Sequence, residues 1–267
     1  GQDQQQENQR PIKPTQHGHD ALQEGGLIEN GGHGARLSPC KAQPFGSGAE
    51  SPHIAYVCIH KIGLGRFVVS ACPMSTTHLL YLHGFRSSPQ SAKAQMTAAH
   101  VMRLHPHVHF WCPQLPPSPK DAMAMVSEGT SHWPRESTAV IGSSLGGFYA
   151  SWFAQHMHCP SVMLNPAVNP ARSLELHIGE QTAWHNPNER FYFQPQFVEE
   201  LKALDVRHLP PAGPQMAIIA KGDELLDWRE MAERYAAAEL HILEGGDHAL
   251  SDFEAYVDQV IRFCDMA

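Results

Sequence analysis

Val140-Ile141-Gly142-Ser143-Ser144-Leu145-Gly146-Gly147 is an apolar run that ends abruptly in Gly-x-Ser-x-Gly. It continues as a helical pattern, Phe148-Tyr149-Ala150-Ser151-Trp152-Phe153-Ala154. A strand that turns sharply into a helix is expected here, with Ser144 at the tip, an arrangement known as a nucleophile elbow. The reason is steric. Residues two before and two after the tip approach too closely to carry side chains, which is why glycine stands at 142 and 146. Only Ser144 has glycine on both sides at that spacing, so Ser143 reads as a small residue packed at the turn. The following helix would aim its N-terminal amides at the place where negative charge develops. A Gly/Ser-rich loop satisfies the same five positions, and the rest of the chain has to decide between the two.

A serine hydroxyl is protonated at neutral pH and needs a base, which in turn needs an acid to orient it. On an elbow scaffold they come in the order Ser, Asp or Glu, His, each at the carboxyl end of a strand. The strand-like run 216–220 is followed by Lys221-Gly222-Asp223-Glu224-Leu225-Leu226-Asp227, and the run 240–243 by Glu244-Gly245-Gly246-Asp247-His248. That glycine-rich turn lets an imidazole swing back over the sheet, which singles out His248 among 19 histidines. Asp223 is expected to be its acid, since it directly follows the strand and Leu225 and Leu226 can anchor it. Asp227 suits the N-cap of the next helix instead, and Asp247 is a poor position from which to bond the neighbouring ring. An oxyanion needs two backbone N–H donors. Leu145 is expected to give one and Phe85, in His83-Gly84-Phe85-Arg86, the other. Arg86 is a candidate to steer an anionic substrate, its plainer role being that of a solvated loop residue.

From Met74 onward strand and helix patterns alternate. Strands are expected at 78–82, 108–111, 137–142, 161–164, 215–220 and 240–243, and helices at 89–104, 119–128, 146–156, 197–204, 227–238 and 251–264. Such alternation implies right-handed βαβ units and a parallel sheet of six strands covered on both faces, with ligands at the strands' carboxyl ends. The fold class expected is therefore α/β, and with the elbow a compact α/β-hydrolase domain over residues 74–267. Residues 165–209 break the rhythm with prolines and aromatics. They read as a small cap, with Trp184 and Phe191 as candidate pocket residues; the same aromatics would equally serve as core for a peripheral helix. Residues 53–73 suggest a hairpin, and 1–52 lack the apolar content to order themselves. The 1–73 segment is expected to be an extension outside the functional domain, which opens at Met74.

Composition excludes several functions. A net charge of −8 without any basic stripe excludes nucleic-acid binding and adhesion to an anionic membrane surface. No apolar run reaches the roughly 18 residues of a membrane span, and no secretory h-region opens the chain. The six cysteines are scattered without a Cys-x-x-Cys pair, which reads as reduced thiols and a cytoplasmic setting. The His105-Pro106-His107-Val108-His109 and His156-Met157-His158 clusters invite a metal reading, but Pro106 prevents a clean helix at the first and no acidic partner lies near either in sequence. No metal and no organic cofactor is expected.

Leu80-Tyr81-Leu82-His83-Gly84-Phe85-Arg86-Ser87-Ser88-Pro89-Gln90-Ser91-Ala92-Lys93-Ala94 resembles the opening of the YqiA-like family of small bacterial α/β-hydrolase esterases. The elbow, Leu164-Asn165-Pro166-Ala167-Val168, Gly222-Asp223-Glu224-Leu225-Leu226-Asp227 and Gly245-Gly246-Asp247-His248 resemble its later motifs. The resemblance runs from Met74 to the C-terminus. It implies a cytoplasmic carboxylesterase active on small acyl esters or thioesters, with Ser144, Asp223 and His248 as its triad. The alternatives are a thioesterase or serine peptidase on the same triad, and a non-catalytic α/β protein that binds a metal or another ligand.

Overall fold

The computed structural model describes residues 57–62, 66–71, 75–186 and 188–265. The extension expected at 1–52 and the proposed start at Met74 lie outside the described residues. Strands β1 (Val57–Ile62) and β2 (Arg66–Ala71) pair antiparallel in a two-stranded sheet of their own.

The strand that carries the elbow, β5 (Thr138–Ser143), is buried at every position. A strand covered on both faces cannot alternate polar with apolar residues, hence its run of Ala139, Val140 and Ile141. It lies inside a six-stranded sheet with β3 (His78–Leu82), β4 (His109–Trp111), β6 (Ser161–Leu164), β9 (Gln215–Ala220) and β10 (Glu239–Leu243). The order is β10-β9-β6-β5-β3-β4, and every neighbouring pair is parallel.

Strand periodicity sorts the core into two layers. Leu79, Tyr81, Ala139, Ile141, Val162, Leu164, Met216 and Ile218 face one side. There they pack with Ala94 and Val101 of α1 (Ala92–Leu104) and Val257, Val260 and Ile261 of α7 (Val257–Phe263). Leu80, Leu82 and Val140 face the other, against α2 (Pro119–Gly129), α3 (Leu145–Met157) and α5 (Pro195–Ala203). On that second side Met163, Ala217 and Ile219 meet Met231 of α6 (Trp228–Arg234), together with Tyr235. The α2 helix starts as its sequence suggests: the Ser118 hydroxyl accepts from Asp121 N–H at 3.1 Å and Pro119 occupies the first turn.

Three helices are shorter than expected, α1 only in starting at Ala92. The 227–238 pattern stops at Arg234 because buried Tyr235 is pinned by a 2.9 Å hydrogen bond to Ser151. The chain must then turn before Glu239 pairs with Met216. The 251–264 pattern breaks into a 3-10 turn, Phe253–Ala255, followed by α7. Leu250 sits at φ 47° and Phe253 is fully buried, so the chain bends to put Phe253 into the core.

The 165–209 segment is more ordered than its sequence suggests. It holds α4 (Pro170–Leu174), a 3-10 turn, β7 (Gly179–Thr182), β8 (Arg190–Phe193) and α5. β7 and β8 pair antiparallel, from Gly179 opposite Phe193 to Thr182 opposite Arg190. The sequence does not announce this hairpin, because Gly-Glu-Gln-Thr has neither apolar alternation nor β-branched residues apart from Thr182.

Candidate active site

Ser144 joins β5 to α3 with φ 56° and ψ −122°, a strained conformation for a residue with a Cβ. Its N–H donates to Leu164 O at 3.0 Å, and its carbonyl accepts from Gly147 N–H and Ala167 N–H, both at 2.9 Å. A Cβ on Gly142 would stand 2.1 Å from Gly146 O, and one on Gly146 would stand 1.9 Å from Leu82 O. The elbow therefore closes only with glycine at both positions.

His248 lies on the loop after β10. Its Nε2 is 3.0 Å from Ser144 Oγ and its Nδ1 is 2.8 Å from Asp223 Oδ2. The Asp223 side chain is wholly buried and the His248 side chain is 17% exposed, so the ring alone reaches solvent. Asp223 Oδ1 accepts from Leu225 N–H at 2.9 Å and Leu226 N–H at 2.8 Å. These bonds leave the carboxylate one direction in which to face the ring. Because a buried carboxylate accepts at Nδ1, the partners assign the proton to Nδ1 and leave the Nε2 lone pair toward the hydroxyl. An imidazole so held can take a proton from Ser144. Asp227 instead caps α6, accepting from Arg229 N–H at 2.9 Å. Asp247 closes its own turn by accepting from Ser251 N–H at 2.9 Å and from Ser251 Oγ at 2.6 Å.

Leu145 is the first residue of α3, so its N–H has no partner within the helix. The Phe85 N–H likewise makes no backbone hydrogen bond among the described residues. Both residues line a cleft of about 220 Å³, together with Arg86, Leu115, Tyr149 and Phe191. Gly84 brings the Phe85 loop onto the serine: a Cβ there would lie 3.1 Å from Ser144 Cβ. The Phe85 ring packs edge-on against Phe191 and Phe193, with centroids at 5.9 and 5.4 Å. Phe191 is thus a cleft wall and Phe193, 1% exposed, is core.

Arg86, at the cleft, and Trp184, outside it, act together. Arg86 has φ 61°, its Nε donates to Thr182 O at 2.6 Å, and its carbonyl accepts from Trp184 N–H at 2.7 Å. The guanidinium lies 4.0 Å from the centroid of the Trp184 ring. Trp184 is 68% exposed and does not line the cleft. The pair fastens the β7–β8 hairpin to the Phe85 loop.

Several residues at the site lie within the motifs quoted above, though nothing in the sequence gives them a role of their own. His83, buried at the end of β3, accepts from Leu115 N–H at 3.1 Å and donates through Nδ1 to Gly84 O at 3.0 Å. Burial holds its pKa below the ordinary histidine value, in keeping with a neutral ring. Glu224 Oε2 accepts from His248 N–H at 3.0 Å. Lys93 donates to Ala249 O. Burial pulls its ammonium down to about 8, partly opposed by the charges of Asp247 and Asp223. Asn165, fully buried, hydrogen bonds the main chain beneath His248. The histidine clusters gather no third ligand: among the described residues no group of three or more His, Cys, Asp or Glu side chains is placed to hold a metal. No helix among them is long and apolar enough to cross a membrane.

A parallel sheet with helices on both faces and a serine at a strand-to-helix elbow define the α/β-hydrolase class. The family described as "Uncharacterised protein family (UPF0227)" matches residues 78–265, and the chain belongs to it. It is the YqiA-like family that the motifs resemble. Solved structures share the fold. A metagenome-derived lipolytic enzyme of the LipS and LipT pair aligns at TM-score 0.56 and 18% identity, covering 71% of this chain and 94% of its own. Est1E from Butyrivibrio proteoclasticus aligns at 0.56 and 14%, covering 72% and 88%. Alpha/beta hydrolase domain-containing protein 10 from mouse aligns at 0.53 and 14%, covering 81% and 95%.

Proposed function

We propose that the protein is a serine carboxylic-ester hydrolase that works through Ser144, His248 and Asp223. One observation carries this reading: an unbroken hydrogen-bond chain from Ser144 Oγ through His248 to a buried carboxylate, with links of 3.0 and 2.8 Å. Ser144 Oγ attacks the ester carbonyl while His248 Nε2 takes its proton. The tetrahedral oxyanion is held by the N–H groups of Leu145 and Phe85. His248 then protonates the departing alcohol, which leaves an acyl-enzyme on Ser144. A water, deprotonated by His248, attacks that ester, and the acid departs as Ser144 regains its proton. Asp223 stabilises the imidazolium at both stages. The chemistry calls for no metal or organic cofactor.

The substrate is a small molecule. A cleft of about 220 Å³ lies below the range of about 300–1,000 Å³ that drug-sized ligands occupy. Its Phe85, Leu115, Tyr149 and Phe191 walls suit a short acyl or small aryl group. A lipolytic enzyme among the proteins of like fold is in keeping with ester chemistry. Cys112, Cys159 and Cys264 are free thiols, which accords with a reducing, cytoplasmic setting.

The test is fluorophosphonate labelling followed by peptide mapping, run beside hydrolysis of an aryl acetate. Labelling of Ser144 and loss of turnover in Ser144→Ala are expected. Turnover at the wild-type rate in Ser144→Ala would refute the reading. Acyl-CoA and peptide anilides assayed in parallel distinguish a thioesterase or peptidase from an esterase.

A further inference from the structure

Asn165 comes directly after β6 and is fully buried, yet no step of the reaction above uses it. Its backbone stands in the left-handed region at φ 41°, which asparagine tolerates better than larger residues. All three bonds of its carboxamide go to main chain. Oδ1 accepts from Ala220 N–H at 2.8 Å, and Nδ2 donates to Asp247 O at 2.9 Å and His248 O at 3.2 Å. An N–H on one side and two carbonyls on the other leave the amide one orientation.

The backbone around Asn165 reaches the nucleophile as well. Asn165 N–H donates to Ile218 O at 2.9 Å, while Leu164 O accepts from Ser144 N–H and Ala167 N–H donates to Ser144 O. Ala220 ends β9 just before the turn to Asp223. Asn165 and its neighbours Leu164 and Ala167 therefore tie together the chain segments that bear the nucleophile, the acid and the base.

We propose that Asn165 is a positioning residue for the proton relay. Its carboxamide locks the main chain of Asp247 and His248 to the end of β9, so that the imidazole stays in register with both Ser144 and Asp223. The proposal rests on the reading of those three residues as a triad. Physically, the clamp answers a problem set by the loop itself. His248 is preceded by Gly245 and Gly246, which bring no side chain to pack, and Gly246 takes φ 81°, so main-chain contacts such as Gly222 N–H to Gly245 O at 3.3 Å alone hold the entry to the loop. Other ties on this loop are Glu224 to His248 N–H, which is open to solvent, Lys93 to Ala249 O, and the exposed Asp247–Ser251 turn. Hydrogen bonds from a buried amide do not compete with water in the same way. No other side chain of this length offers one acceptor and two donors: aspartate lacks the donors and glutamine is a methylene too long.

Two variants test this. Asn165→Gly removes the amide without straining the left-handed backbone. Asn165→Asp keeps the shape and the Ala220 bond but turns an oxygen toward two carbonyls. In aryl acetate hydrolysis each is expected to lower kcat by about 10- to 100-fold, the loss that a displacement of about 1 Å produces, with KM within about threefold of wild type. Out of solvent and facing two carbonyls, the new carboxyl takes up a proton and can donate to only one of them, so the charges around the loop stay those of wild type. Wild-type kcat in either folded variant, judged by near-UV circular dichroism, would overturn the proposal. So would loss of the fold in both, which would make the amide a prop for the fold rather than for the relay. Ser144→Ala, run alongside, separates the two ideas: full activity there would remove the triad itself, whereas an inactive Ser144→Ala beside fully active Asn165 variants would remove only the clamp.

Discussion

Asp223→Asn changes one atom of a wholly buried side chain, and the surrounding bonds dictate its effect on the ring. Oδ1 of Asp223 accepts two backbone N–H bonds, at 2.9 and 2.8 Å, while Oδ2 faces His248 Nδ1 at 2.8 Å. In the asparagine the oxygen must stay with the two N–H groups. Turning the amide over would give up two hydrogen bonds and set two backbone N–H donors against an NH2 group, a conflict the first orientation avoids. The NH2 group therefore points at His248 Nδ1, which can then only accept. The ring adopts the other tautomer, with its proton on Nε2 directed at Ser144 Oγ, and it can no longer act as a base. The expected loss in kcat is about ten-thousandfold, or about 5.4 kcal/mol at 1.36 kcal/mol per factor of ten. KM for an aryl acetate should change little, since Asp223 does not line the cleft. The assay is steady-state hydrolysis at pH 7, with the melting temperature recorded to show that the fold survives. Activity within tenfold of wild type would refute the tautomer argument. Asp227→Ala is the matched control. It removes the α6 cap, costs about 1 kcal/mol and lowers Tm by about 2–4 °C, and it should leave kcat unchanged.

Two further outcomes concern the cleft walls. Arg86→Ala removes the bond to Thr182 O and the stack on Trp184, the latter worth about 0.5–1 kcal/mol at an exposed site. Amide exchange at Ala183, whose N–H bonds Glu189 O across the hairpin, should accelerate. KM should rise several-fold as the Phe191 wall loosens; unchanged exchange would show that the hairpin does not depend on this latch. His83 gives a pH dependence. Its folded pKa lies below the ordinary 6.5 because of burial, so as pH falls from about 7 the unfolded chain takes up a proton that the folded chain resists. Its contribution to stability is thus complete above pH 6.5 and is lost progressively below it, in the same direction as those of His78 and His100. Urea unfolding midpoints of His83→Gln, which can still accept from Leu115 N–H, should fall less steeply with acid than wild type; parallel curves would contradict this.

The features legible in the chain are those that burial on both faces or local geometry writes into consecutive residues. The four inner strands of the sheet, β3, β5, β6 and β9, show as short apolar runs because they are covered twice, and the elbow shows because Gly142 and Gly146 answer contacts of 2.1 and 1.9 Å. Asp223 and His248 stand out because chain order and glycine turns mark the ends of their strands. The β7–β8 hairpin is not legible, because it is held by pairing and by Arg86 rather than by an apolar pattern of its own. Composition alone points Trp184 to the pocket, since nothing in the sequence tells an aromatic facing inward from one stacked outside on an arginine. The helix end at Arg234 and the late helix start at Val257 are hidden for a related reason: Tyr235 is pinned by a distant partner and Phe253 is drawn into the core, and local helix propensity gives way to them.

The sheet order explains why the His248 loop needs more support than the Ser144 elbow. Reading across from β4, the strands deliver the cleft wall around Leu115, the Phe85 loop after β3, Ser144 after β5, Asn165 after β6, Asp223 after β9 and His248 after β10. Ser144 leaves a strand buried at all six positions and enters a helix whose first turn is buried too, so its geometry is set by packing. His248 leaves the edge strand, which has no fully buried residue, by way of two glycines. Packing does little there, and polar ties replace it: Asn165 from below, Glu224 at the His248 N–H, Lys93 at Ala249 and the Asp247–Ser251 turn. Substitutions in β5 should therefore cost stability together with activity. Substitutions in the His248 ties should cost activity first, because each holds the position of a ring rather than the integrity of a core.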